Sequence, residues 1–516
     1  MSSLDSQPTP LSELSTVNAE NHPKGLAFAD DTGTELTWRE FEDRSTVVAE
    51  SFASDLRHRD RVAFLCETGV ETVVAWNGAI KAGAITSFAH TQSSPETIRY
   101  TIDHFDPSIL VISENHSDFV CDRIVDDLES DPTVLVLGSA THPYEQSLSE
   151  FIERTDAVSP DIYVDESDIG AVIWTSGTTG RPKGWCHTYS NLRTKSGDLG
   201  VIIQRSDTRM SQTMPSLGGW YKTVISTLLA GSSLVMLKDW EATRWLSFVE
   251  EYDVTHGSMV PTMWREVLQL DIDTYDLSSL KGVLCLGEKV EPQTLRRIRS
   301  NICESVMNAY ASTEVDVSIL ENKEFTEDRL GSVGKPSGGT RVRIIEENQE
   351  PDATVPTGEI GEVIVKAADR PVWAWHRSEV VEEEFTDGWW YSGDLGYKDE
   401  DGYLYLEGRK DFMIKSKGVK VFPSPIEGIL NDYPGVKEAV VVGVDDEEYG
   451  EKVTALVRRS DSTVTADELD EACLESDAIA RFERPREYHF VDFEIPRTPS
   501  QKIDRQSAAE KFESHE

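Results

Sequence analysis

The chain has 516 residues, 38% of them hydrophobic, with 93 acidic against 50 basic side chains and a formal net charge of −43. That length exceeds a single core and requires two or more domains. A polyanion of this size repels nucleic acid and anionic membrane, so neither is an expected partner. No apolar run approaches the roughly 18 to 20 residues that cross a bilayer. The start, "MSSLDSQPTPLSEL", has neither the basic nor the apolar block of a secretory signal. Six cysteines lie scattered without a CxxC pair, which predicts reduced thiols and no metal cluster. The expectation is a cytoplasmic protein without membrane insertion. Its acidity is spread along the chain, as in proteins adapted to high salt.

In chain order, "RVAFLC" from residue 61 reads as a strand and "VETVVAWNGAIKAG" after it as a helix. "PSILVIS" at 107, "TVLVLG" at 133, "DIGAVIWTSG" at 168, "SSLVML" at 232 and "LKGVLCLG" at 280 continue the strands. Strands alternating with amphipathic helices predict parallel sheets with crossovers. From about 331 the texture changes to short strands with Gly and Asp-Gly turns, "GTRVRIIE", "GEIGEVIVKA" and "GWWYSGDLGYKDEDGYLYLEGR", a small β-rich unit. After Arg409 a new α/β pattern begins, with "VKEAVVVGV" and "KVTALV". The final residues read as a solvated helix or tail. The predicted division is 1–408 and 409–516.

Residues 175 to 184, "TSGTTGRPKG", hold three glycines, four hydroxyls and two cations in ten positions. Such a loop frees backbone N–H groups and adds donors and charge for phosphate. It departs from the common G-x-x-x-x-G-K-[ST] pattern. Four further clusters carry chemistry. "NAYASTE", 308–314, pairs a hydroxyl at Thr313 with a carboxylate at Glu314, oxygen ligands that suit Mg²⁺. "YSGDLG", 391–396, offers Asp394 to a pair of ribose hydroxyls. "GRKDFMIKSKGVK", 408–420, is basic within an acidic chain. "PRTPSQKIDR", 496–505, carries Lys502.

These five clusters, in this order, resemble the adenylate-forming superfamily of acyl-CoA synthetases, peptide-synthetase adenylation domains and luciferases. "GSVGKPSGG" at 331, "GEIGEV" at 358 and "VFPSPIEG" near 421 extend the resemblance from about residue 25 to 505. The implied architecture is α/β: two α/β sheet subdomains and a small β-barrel-like subdomain, followed by a small mobile α+β domain. The implied reaction joins a carboxylic acid to coenzyme A through an acyl adenylate, using ATP and Mg²⁺.

The resemblance also implies roles. Thr175, Ser176, Gly177, Thr178, Thr179, Gly180 and Lys183 form the loop for the β- and γ-phosphates. Gly287, Glu288 and Lys289 face Tyr310 across the adenine, within a nucleotide site that includes Asn308, Ala309, Ala311 and Ser312. Thr313 meets the α-phosphate, Glu314 holds Mg²⁺, and Asp394 with Arg409 takes the ribose. Lys502 bridges the acid and the α-phosphate. Asp411 is the hinge, and Ser416, Lys417, Gly418 and Lys420 line the path of CoA after the small domain turns. His187, Gly219, Trp220 and Ala311 are the candidates for the acyl pocket.

Ala311 replaces the glycine common in the family motif, and Gln501 replaces the glycine that usually precedes the lysine. Acetate-specific relatives have Trp where Ala311 stands, so the expected acid is larger, medium-chain or aromatic, which suggests fatty-acid metabolism. A carrier-protein thiol as acceptor and a non-catalytic nucleotide-binding homologue remain alternative readings. No motif specifies an oligomer.

Overall fold

The computed structural model describes residues 8–514, apart from 126–127, 129, 155–163, 176–180, 212–215, 321–325, 337–338, 368–370, 372, 378–380, 382–383, 477 and 498–502. Local signals open the early elements. Thr37 accepts from the Glu40 amide while Glu40 reaches back to Thr37, a capping box that starts the helix Trp38–Asp55. Ser94 caps Pro95–Phe105, whose proline sits in the first turn, where an N–H has no helical partner. The strands Arg61–Leu65 and Ile109–Ser113 are buried along nearly their whole length. Parallel strands covered on both faces need that unbroken apolar run.

The first sheet has eight strands. In spatial order they are Trp373–Ala374, Lys183–Thr188, Ile169–Thr175, Ile85–Phe88, Arg61–Leu65, Ile109–Ser113, Thr133–Leu137 and Glu145–Ser147. From Ile169–Thr175 to Glu145–Ser147 all neighbours run parallel. On the other side, Ile169–Thr175 and Lys183–Thr188 are antiparallel, and Thr175 pairs with Lys183. The glycine-rich segment therefore joins two hydrogen-bonded strands and does not lead into a crossover helix.

The second sheet is parallel from Leu26–Asp30 through Ser233–Met236, Thr208–Ser211, His256–Met259 and Gly282–Cys285 to Val306–Ala311. Beyond Val306–Ala311 the pairing turns antiparallel, through Asp316–Leu320, Ser332–Pro336, Leu404–Arg409, Trp389–Lys398, Gly361–Lys366 and Arg341–Ile345. The expected barrel-like unit is this antiparallel extension of the second sheet. Its Asp387-Gly388 turn has φ of 50° and 77°, the two positive values that a two-residue hairpin requires.

The third sheet runs Val419–Val421, Ile414–Ser416, Gly450–Arg459 and Val436–Asp446, with Glu487–Phe490 beside Gly450–Arg459. The helices Pro423–Asn431 and Ala466–Glu475 cover it through Ile426, Leu430 and Leu469. The last helix, Arg505–Glu513, is not merely solvated. Ala508 and Phe512, one turn apart, pack against Val440, Val442 and Leu456. Among the described residues no helix is long and apolar enough to cross a membrane.

Candidate active site

A cleft of about 2540 Å³ opens where the first two sheets, the antiparallel extension and the C-terminal unit meet. The carboxyl end of Val306–Ala311 opens onto it, as strand ends of α/β proteins do at ligand sites. Tyr310, Ala311, Ser312, Thr313 and Glu314 all line it. Ala309 and the turn Gly287, Glu288, Lys289 line it as well. Gly287 has φ 96°, and a Cβ there would meet Val260 at 3.1 Å, so glycine serves both the turn and the close packing. Lys289 Nζ lies 3.4 Å from Glu407.

Asp394 and Arg409 are directly paired across two antiparallel strands. Arg409 Nη1 donates to the Ser392 carbonyl at 2.7 Å and stands 3.6 Å from Asp394. The Tyr310 hydroxyl donates to Asp394 Oδ2. Burial first, then the Asp394 charge, raises the Tyr310 phenol well above its ordinary range, so it remains a donor. Thr175 and Lys183 reach the cleft from the ends of the glycine-rich segment. Ser176, Gly177, Thr178, Thr179, Gly180 and Lys502 lie outside the described residues. Ile503, Asp504, Arg505 and Gln506, which follow Lys502, line the cleft.

Several expected residues lie elsewhere. Asn308 is 2% exposed, and its amide donates to the Ser332 carbonyl at 2.8 Å, tying two strands together beneath the site. Trp220, expected in the acyl pocket, is 1% exposed and stacks edge-on to Trp76 and Tyr221, with its indole N–H on Thr68 Oγ1. The helix Gly218–Ala230 explains the correction. Gly219, Lys222 and Thr223 recur at helical spacing and line the cleft, whereas position 220 is turned about 100° from 219 into the core. His187 is likewise fully buried, on the strand Lys183–Thr188, and not at the cleft. Burial, then the charge of Lys195, pushes its pKa well below the ordinary histidine value, so it is neutral. Ser416, Lys417, Gly418 and Lys420 are also away from the cleft. Lys417 pairs with Glu448 at 2.6 Å, and Lys420 pairs with Glu347. Asp411 lines the cleft 3.6 Å from Arg409.

Comparison with known proteins bears on this arrangement directly. The family model for the AMP-binding enzyme matches residues 16–369, and that for the AMP-binding enzyme C-terminal domain matches 425–502. A feruloyl-CoA synthase of an Amycolatopsis species is 30% identical over 486 residues, 91% of this chain and 93% of the relative. The chain belongs to the AMP-binding enzymes of the adenylate-forming superfamily. A sulfoacetate–CoA ligase of Cupriavidus necator is 28% identical over 96% of each chain. A 2-succinylbenzoate–CoA ligase of Bacillus licheniformis is 30% identical over 87% of this chain and 89% of the relative. Among solved structures, ATP-bound MatB from Rhodopseudomonas palustris superposes with a TM-score of 0.84 at 24% identity, covering 98% of this chain and 99% of MatB. That likeness speaks to the fold.

Within this AMP-binding enzyme, Glu314 is 8% exposed and its carboxyl is raised, by burial first and then by the neighbouring charge of Glu384. Two carboxylates crowded in a buried cleft fit a hard cation. No group of three or more metal-ligating side chains occurs among the described residues. A Mg²⁺ ion held by Glu314 would commonly complete its coordination with phosphate oxygens and water. Two residues escaped the reading of motifs. Lys195, from the helix Tyr189–Ile202, donates to the carbonyls of Ser312 at 3.1 Å and Thr313 at 2.6 Å and so supports the turn that carries Thr313 and Glu314. Glu384 pairs with Lys183 at 2.6 Å. Neither belongs to a local pattern that would single it out.

Proposed function

We propose that this AMP-binding enzyme is a cytoplasmic AMP-forming acyl-CoA synthetase for a carboxylic acid larger than acetate. One observation carries the reading. Tyr310 to Glu314, Asp394 with Arg409, and the Thr175 and Lys183 ends of the glycine-rich segment all open on a single cleft. Relatives named for feruloyl-, sulfoacetyl- and 2-succinylbenzoyl-CoA formation support CoA as the acceptor.

In the first half-reaction a carboxylate oxygen of the acid bonds to the α-phosphorus of ATP. The bond from that phosphorus to the bridging oxygen breaks, and pyrophosphate leaves. Two anions must meet, so the barrier is largely electrostatic. We assign Asp394 and Arg409 to the ribose, and Tyr310 to the adenine, opposite Gly287, Glu288 and Lys289. Thr313 donates to the α-phosphate, while residues 175–180 and Lys183 hold the outer phosphates. Lys502 supplies a cation between acid and α-phosphate. Glu314 would hold Mg²⁺, which would supply positive charge against the phosphates.

In the second half-reaction the CoA thiolate attacks the acyl carbonyl and AMP departs. We assign Asp411 as the pivot between 1–408 and 409–516, and Ser416, Lys417, Gly418 and Lys420 to the CoA path after the turn. Gly418, at φ 80° with open space around it, suits close passage of a ligand. A charge of −43 supports operation in concentrated salt, where the screening length falls to about 3 Å at 1 M.

The test is ATP- and Mg²⁺-dependent turnover across a panel of carboxylic acids in molar KCl, with and without CoA. AMP and pyrophosphate formation with CoA consumed, for one class of acid, is the expected result. Adenylation with no thioester formed would overturn CoA as acceptor, and no turnover with any acid would overturn the synthetase reading.

A further inference from the structure

Deeper in the cleft sits a buried cation with no ion pair among the described residues. Arg209, on the strand Thr208–Ser211, is 6% exposed and lines the cleft. Its Nη1 donates to the Thr223 carbonyl at 3.0 Å, to Ser226 Oγ at 2.6 Å and to Thr227 Oγ1 at 3.3 Å, all neutral acceptors. Its other guanidinium N–H groups have no partner among the described residues. The nearby carboxylate of Asp207 is engaged by Lys281 at 2.7 Å. Burial draws the Arg209 pKa down to about 10, which leaves it charged at neutral pH. An unpaired buried charge destabilises a fold, and a guanidinium fork matches a carboxylate or similar oxyanion.

The surroundings fit a ligand that ends in such a group. His256 is the direct cross-strand partner of Arg209 and also lines the cleft. Burial lowers its pKa, and the Arg209 charge adds to that effect, so it offers a neutral imidazole. Leu284 and Met307, on the same face of the sheet, add apolar lining to the cleft. At the top, Gly218 opens its helix beside Thr313, since a Cβ on Gly218 would stand 3.5 Å from Thr313 Oγ1. The N-terminus of that helix favours the reacting carboxylate. Thr223 lies five residues further on, about 7.5 Å along the axis at 1.5 Å per residue.

We propose that the acyl pocket takes an acid with a second anionic group at its far end, and that Arg209 receives that group. The inference rests on the synthetase reading and names its substrate class. Three bonds of extended chain span about 3.5 Å, so about 7.5 Å corresponds to roughly six bonds. That is the scale of adipate, or of a benzoate with a short carboxylate or sulfonate arm. In a chain with a net charge of −43, a dianion needs a fixed local cation to enter.

The experiment is ATP–pyrophosphate exchange at pH 7.5 in molar KCl with length-matched acids, adipate against hexanoate and suberate against octanoate. The dianion of each pair is expected to have a KM at least tenfold below its partner. Arg209→Met should cut kcat/KM for adipate about 100-fold and spare hexanoate, while Arg209→Lys retains the preference for the dianion. ATP affinity should not change in either variant. If hexanoate matches adipate in the wild type, or if Arg209→Met lowers both equally, Arg209 is only an anchor for the Gly218–Ala230 helix and the inference fails alone. Should Arg209→Met not fold, the wild-type comparison still decides. Exchange with none of the acids would bring down the synthetase reading and this inference together.

Discussion

Lys183 and Glu384 meet at the cleft with Nζ 2.6 Å from Oε1, both side chains largely shielded from water. Glu384 also accepts from the Trp390 indole at 3.4 Å. The lysine assigned to the outer phosphates of ATP is thus already paired with a carboxylate, which an incoming phosphate must displace. Glu384→Gln is expected to tighten ATP binding about fivefold, roughly 1 kcal/mol for a partly shielded pair. Calorimetry without acid measures this. Weaker binding in the variant would instead make Glu384 a support that positions Lys183.

The turn bearing Thr313 and Glu314 hangs on the ammonium of Lys195 through two carbonyls. Hydrogen bonds to a charged group contribute about 1.5–3 kcal/mol each. Lys195→Met should lower the adenylation rate about 100-fold while the melting temperature moves only a few degrees. Pyrophosphate exchange and a thermal melt on the same preparation separate the two effects. An unchanged rate would mean that the turn holds its shape unaided.

Glu291 packs against the C-terminal helix Pro423–Asn431, so closely that a Cβ on Gly428 would lie 2.7 Å from Glu291 Cδ. Burial lifts its carboxyl to about 7, Asp432 and Glu427 add to the rise, and Lys289 and Arg265 oppose it. The folded value lies above the ordinary 4.5, so the docked form holds the extra proton. Its contribution is full below about pH 4.5 and is lost as pH rises through about 7. The whole span amounts to about 3 kcal/mol. Glu291→Gln should match the wild type at pH 5 and dock more firmly at pH 8. Slower proteolysis of the 408–411 junction at pH 8 is the readout, and equal rates there would refute the linkage.

Ala311 is exposed at the cleft, next to Tyr310 and Ser312. An indole at this position would crowd the cleft beside Tyr310 and Ser312, and overpacking of this kind is not absorbed without displacement. Ala311→Trp is expected to reduce kcat/KM for six-carbon acids at least 100-fold and to leave acetate as the better substrate. An unchanged acid profile would place the limiting wall elsewhere.

The clusters around Thr175, Tyr310 to Glu314, Asp394 and Arg409, which the structure brings to one cleft, were legible in the sequence because each is a short contiguous run. Each run sits at a strand end or turn, where the order of residues already sets which groups lie together. The α/β alternation and the change of texture near 331 were legible for a similar reason, since periodicity and turn residues act locally. Which face of the helix Gly218–Ala230 meets the cleft was not. Trp220 and Gly219 are neighbours in sequence, yet the helix turns one into the core and the other to the cleft.

Lys195 and Glu384 act on partners 117 and 201 residues away, and Arg209 meets Thr223 only because its strand packs against the helix Gly218–Ala230. By itself, then, the sequence determined the family, the nucleotide motifs and the need for several domains. Only the tertiary structure decided which cations line the cleft and which side chains merely fill the core. Local order specifies what a strand end can bind, but burial and charge neighbourhood depend on distant segments brought together by folding.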